Sequence, residues 1–84
     1  MNKLEILKKK ILYRSSYRGT KEMDILLSSF VKFYIEKLSI DELVDLDKFL
    51  DLEDDVIYNF YQNNISNELL KKNKISLYLK KFKI

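Results

Sequence analysis

Only one glycine, Gly19, and no proline interrupt this chain of 84 residues. Those two residue types are the strongest local punctuation a sequence has. Without them, most breaks between elements fall to Ser, Asp and Asn, whose side chains compete with the helical backbone and cap its free N–H groups. Between such breaks, apolar residues recur three and four positions apart, the spacing of one helix face.

Asn2-Lys3-Leu4-Glu5 has the form of a capping box with Asn in the leading place. Leu4, Leu7, Ile11 and Leu12 then follow at helical spacing and predict a first helix over Lys3–Tyr13. Ser15 to Thr20 breaks it. A longer helix follows, its stripe made by Met23, Leu26, Leu27, Phe30 and Tyr34. Ser39-Ile40-Asp41-Glu42 is the clearest local signal, a capping box with acids in the first turn. Its helix buries Leu43, Leu46 and Leu50, with Phe49 alongside.

Asp54 and Asp55 can cap a short fourth helix bearing Ile57, Phe60 and Tyr61, which Asn63-Asn64 ends. Ser66 opens a fifth segment through Leu69 and Leu70. Beyond it Ile75, Leu77 and Leu79 alternate as in a strand, but one strand has no partner here. The expectation from about residue 75 is therefore a frayed helix or tail. Short loops between amphipathic helices imply antiparallel neighbours. The fold class expected is all-α, a small compact bundle of four to five short antiparallel helices, with residues 1–84 as one helical domain.

Several function classes lose their chemistry at the level of composition. Cysteine and histidine are both absent, which removes disulfides, thiolate metal sites and the commonest general base and metal ligand. The acids Asp51, Glu53, Asp54 and Asp55 lack the glycine and alternating spacing of a calcium loop. Lys, Ile, Leu, Asn and Tyr fill the chain, the bias of AT-rich coding, so abundant lysine alone says little about function. Net charge is +3, but it is distributed as +5 over Met1–Lys37, −7 over Leu38–Phe60 and +5 over Tyr61–Ile84. A small basic nucleic-acid-binding module is the alternative reading, carried by lysine clusters at both ends. The basic–acidic–basic order is not the continuous footprint such a module needs, and no nucleic acid is expected as partner.

No apolar run approaches the roughly 20 residues that span a bilayer, so no membrane insertion is expected. Leu4–Leu12 is broken by Glu5 and by Lys8, Lys9 and Lys10, which does not suit a secretory signal. The N-terminal segment is basic and amphipathic like a transit peptide, but Arg18 leaves little room for a removable presequence ahead of it. The expected location is the bacterial cytoplasm.

The first turn stands apart from the others because it alone carries a glycine. Gly19 serves either a backbone angle that other residues disfavour or the close approach of another molecule. Arg18 is harder to place. A cation at a helix entrance opposes the dipole, and an i,i+4 pair with Glu22 in this order contributes only about 0.2–0.5 kcal/mol. Arg18, Gly19 and Glu22 are therefore read as one exposed corner offering a guanidinium, bare backbone and a carboxylate to a partner. Tyr17 either adds an aromatic contact there or closes the core over the first helix. Asp24, like Glu22, is an ordinary acid of a first helical turn.

Arg18-Gly19-Thr20-Lys21-Glu22-Met23-Asp24, followed by Ile25, Leu26, Leu27 and Phe30, resembles the succinate dehydrogenase assembly factors that promote flavinylation. A second block resembles them too: Glu42-Leu43, Phe49-Leu50, then Glu53-Asp54-Asp55 leading to Ile57-Tyr58-Asn59-Phe60. The pattern departs at Tyr17, commonly a second Arg, at Phe60, usually Trp, and within Asn63-Asn64-Ile65, where a Gly is usual. The resemblance implies a small helical protein with no catalysis of its own. Its partner would be the flavoprotein subunit of succinate dehydrogenase or fumarate reductase, whose FAD becomes covalently attached. It implies no stably bound cofactor on this chain, since the FAD belongs to the client. Arg18, Gly19 and Glu22, with Asp24 in support, would sit against that subunit near its flavin.

Overall fold

The computed structural model describes residues 2–63 and 74–83. Among them are five helices and no strand: α1 Lys3–Ser15, α2 Lys21–Tyr34, α3 Ile40–Phe49, α4 Asp54–Asn63 and α5 Lys74–Lys81. The all-α expectation holds. The segment expected from Ser66 through Leu70 lies outside the described residues.

Side-chain caps start α1 and α3 where the sequence places them, whereas Asp54, expected as a cap of α4, instead accepts from Arg18 and Gly19. Asn2 Oδ1 accepts the Glu5 N–H at 2.8 Å and opens α1. At α3 the box closes in both directions: Ser39 Oγ accepts the Glu42 N–H at 3.2 Å, and Glu42 Oε1 accepts the Ser39 N–H at 3.0 Å. The Glu42 carboxyl lies below its usual range, first because of that backbone bond and then because Tyr78 donates to it. Thr20 caps α2, its hydroxyl accepting the Met23 N–H at 3.2 Å. This cap sits inside the stretch that reads from sequence simply as a break.

The apolar stripes converge on one core. Ile11, Leu27, Phe30, Leu43, Leu46, Ile57, Ile75 and Leu79 are all fully buried, and Phe49 nearly so. Each such side chain contributes about 1.5–3 kcal/mol by leaving water. Helix α1 packs on α2 and α3, and α5 packs on α3 and α4.

The end of the chain differs from expectation. Of the frayed helix or tail expected from about residue 75, the structure has a helix, α5, and it is packed rather than frayed. The apparent strand alternation resolves once read at helical spacing: Ile75 and Leu79 are one turn apart and buried, while Leu77 is 63 % exposed. Polar anchors hold the helix as well. Tyr61 Oη donates to the Phe82 carbonyl at 2.8 Å, Lys80 to the Phe60 carbonyl at 3.0 Å, and Tyr78 Oη to the Glu42 carboxylate.

Candidate functional site

The turn between α1 and α2 is held by two aspartates from elsewhere in the chain. Tyr17 enters it at φ 58°, a left-handed conformation that costs a non-glycine residue about 1–3 kcal/mol. Glycine is the residue expected to take such an angle, yet Gly19 does not have a positive φ. What Gly19 supplies is space. A Cβ there would lie 3.2 Å from Asp54 Oδ2, and that same oxygen accepts the Gly19 N–H at 2.8 Å. The close approach is made by the chain's own carboxylate.

Arg18 departs further from the sequence reading. Its guanidinium turns inward, leaving the side chain 13 % exposed. Nε donates to Asp54 Oδ1 at 2.7 Å, Nη1 to the Leu50 carbonyl at 3.1 Å and Nη2 to the Leu52 carbonyl at 3.1 Å. Leu50 is the C-cap of α3, so Arg18 satisfies free carbonyls at a helix end, where positive charge also complements the dipole. Its own N–H donates to the Asp24 carboxylate. The expectation of a guanidinium displayed to a partner is therefore corrected: Arg18 is a clamp between the first turn, the end of α3 and the start of α4. A cation at the entrance of α2 opposes that helix's dipole, but the end of α3 lies beside it and accepts the guanidinium.

Arg18 completes a ladder. Lys10 donates to Asp47 Oδ2 at 3.0 Å, Arg14 Nη1 to Asp47 Oδ1 at 2.7 Å, and Arg14 Nη2 to Asp51. The bases Lys10, Arg14 and Arg18 advance in step with Asp47, Asp51 and Asp54, so α1 and its turn run alongside α3 and its turn. Partial burial pushes the Asp47 carboxyl up, but hydrogen bonds and charge from Lys10 and Arg14 outweigh this and hold it below the usual carboxylate range. Asp54, read from sequence as a helix cap and as part of an acidic turn, is the partner of Arg18 and Gly19 that the sequence did not reveal. The available signal was the −7 block following a +5 block.

The rest of the corner faces solvent. Tyr17 is 81 % exposed, its ring tilted against Tyr13 at 5.7 Å. Gly19, Thr20 and Glu22 are exposed, while Asp24 is half-buried behind the Arg18 N–H. Two shallow grooves share Gly19 and Asp54. One, of about 540 Å³, is lined by Thr20, Glu22, Met23, Asp55 and Tyr58 as well. The other, about 420 Å³, continues over Tyr13, Arg14, Ser16 and Tyr17.

Fold and corner together describe a small helical domain with a solvent-facing, hydrogen-bonded turn flanked by grooves. Residues 9–83 match the family model described as flavinator of succinate dehydrogenase, and the chain belongs to that family. It is 36% identical over 69 residues to the mitochondrial succinate dehydrogenase assembly factor 2 of Lodderomyces elongisporus, covering 82% of this chain and 42% of the relative. The protein of the same name from Dictyostelium discoideum is 40% identical over 60 residues, 71% of this chain and 43% of the relative. That from Penicillium rubens is also 40% identical over 60 residues, but these are only 19% of its length. The chain thus spans less than half the length of these relatives. All three are named as mitochondrial proteins, which overturns the expectation of a bacterial cytoplasmic setting. No helix among the described residues is long and apolar enough to cross a membrane.

Proposed function

We propose that this chain is an assembly factor without catalysis of its own. In this reading it binds the flavoprotein subunit of succinate dehydrogenase, or of the related fumarate reductase, and promotes covalent FAD attachment there. Family membership and the relatives' names support the class of activity, in a mitochondrial setting. The observation that carries the site is the strained, exposed Tyr17 beside Gly19. A left-handed aromatic side chain in open solvent gains no burial to offset its backbone cost, and strain of that kind gathers at functional surfaces.

Tyr17, Gly19 and Glu22 form the contact surface in this proposal. Arg18 and Asp24 fix the backbone beneath it. Covalent attachment requires a flavin carbon and a client histidine to be held in near-attack geometry, and a binding protein that orders the client supplies that positioning. The bond-making chemistry belongs to the flavin and the client.

The test is to co-express the client flavoprotein with and without this chain and measure covalent FAD by in-gel fluorescence. Flavinylation should rise with the chain present, and equal values in both would remove the proposal. Gly19→Ala and Gly19→Arg separate structure from docking. Both add the same crowded Cβ against Asp54, but only arginine extends a long side chain over the grooves. Gly19→Arg should keep helical circular dichroism and lose client binding, while Gly19→Ala retains binding. Loss in both variants would make Gly19 purely structural.

A further inference from the structure

At the far end of α2 the surface changes character. A groove of about 510 Å³ runs between the last turns of α2 and the end of α5, lined by Ser29, Phe33, Tyr34, Lys81, Phe82 and Lys83. Its floor is aromatic. Phe82 meets Phe33 at 5.8 Å and Phe30 at 5.5 Å, and Phe33 meets Tyr34 edge-on at 5.0 Å. Phe33 is nevertheless 51 % exposed. Among the described residues, no carboxylate lines the groove.

The lysines here differ from two of those on α1. Lys8 and Lys10 are neutralised by Glu36 and Asp47, each at 3.0 Å. Lys81 and Lys83 have no carboxylate partner among the described residues, and Lys37 sits over the Phe33 ring at 4.2 Å while donating to the Phe33 carbonyl. An apolar recess rimmed by lysines with no carboxylate partner among the described residues is the electrostatic complement of an acidic, apolar-bearing segment.

We propose that this groove is a second docking surface, which binds an acidic peptide segment of a partner protein. An apolar or aromatic side chain of that segment lies on the floor that Phe33 and Phe82 form, and its carboxylates meet Lys81 and Lys83. Single-stranded nucleic acid fits less well, because it needs an open ring face for base stacking and Lys37 already covers Phe33. An anionic bilayer fits less well too, because the apolar floor is recessed. Helix α2 has 14 residues, so the groove and the Gly19 corner lie roughly 20 Å apart and can be occupied together.

The test uses the full chain and a fluorescein-labelled peptide, Asp-Glu-Phe-Asp-Glu-Leu, read by anisotropy at low and moderate salt. Saturable binding is expected, weakening severalfold between roughly 50 and 200 mM salt. It should fall at least tenfold in the Lys81→Glu, Lys83→Glu double variant and be unchanged in Glu22→Lys at the other end. Lys83→Gln, beyond the last helix, gives a second reading that does not disturb α5 and should weaken binding severalfold. The matched Asn/Gln peptide should not bind. Absence of saturable binding overturns the proposal, as does equal binding by the charge-reversed variant. Tighter binding of an oligothymidylate or of phosphatidylserine vesicles would also overturn it, in favour of nucleic acid or membrane.

Discussion

Replacing Asp54 by alanine isolates the clamp that fixes the first turn. The carboxylate holds Arg18 Nε at 2.7 Å, with side chains 13 % and 24 % exposed. A hydrogen bond to a charged group contributes about 1.5–3 kcal/mol, and partial exposure screens this one toward the lower half of that range. The Gly19 N–H bond at 2.8 Å is exposed, so water replaces it at a cost of about 0.5 kcal/mol. Asp54→Ala should therefore lose about 2–3 kcal/mol. For a domain of this size that lowers Tm by roughly 10–20 °C. Urea and thermal unfolding followed by circular dichroism measure it. Asp55→Ala, which removes an exposed neighbour accepting only a local bond from Val56, is the control and should stay within about 0.5 kcal/mol. A double-mutant cycle between Asp54→Ala and Arg18→Ala should show coupling above about 1 kcal/mol. If Asp54→Ala costs no more than Asp55→Ala, the clamp is not holding Arg18, and its guanidinium is free to meet a partner after all.

Three further outcomes follow from other parts of the molecule. Tyr17→Gly relieves the left-handed backbone at φ 58°, so stability should hold or rise by up to about 1 kcal/mol, while client co-purification falls. Leu79→Ala should cost about 2–5 kcal/mol in urea unfolding, because the side chain is fully buried. A change below about 0.5 kcal/mol would return α5 to a frayed tail. Asp47 and Glu42 both have depressed pKa values in the folded chain. Their stabilising contribution is complete above the ordinary carboxylate range, about pH 4, and is lost as pH falls through the lower folded values. The urea midpoint should drop on acidification below about pH 4, and Asp47→Asn should drop less steeply.

The helical architecture was legible because it rests on local signals. Asn2 and Ser39 cap where a four-residue pattern says they should, and Ile11, Leu27, Leu43 and Ile57 fall on stripes readable at one spacing. The last helix was not legible, since Ile75, Leu77 and Leu79 satisfy two periods at once. Only the packing of α5 against α3 and α4 decides between them. The site was half legible. The exposure of Gly19 and Glu22 came through, but the direction of the guanidinium did not. That direction depends on the Leu50 and Leu52 carbonyls and on Asp54, more than thirty residues away. Charge blocks carried that information in coarse form, as +5 followed by −7.

Every rung of the ladder joins residues 33 to 37 positions apart. Closing loops of that length is entropically unfavourable until the hydrophobic interior has already collapsed. The shape offered at Gly19 is thus not a local property of a hexapeptide. It exists only once the second half of the chain is in position, so a nascent, clipped or thermally opened copy has no ordered corner to offer. In this sense the turn reports whether the end of α3 and the start of α4 are in place.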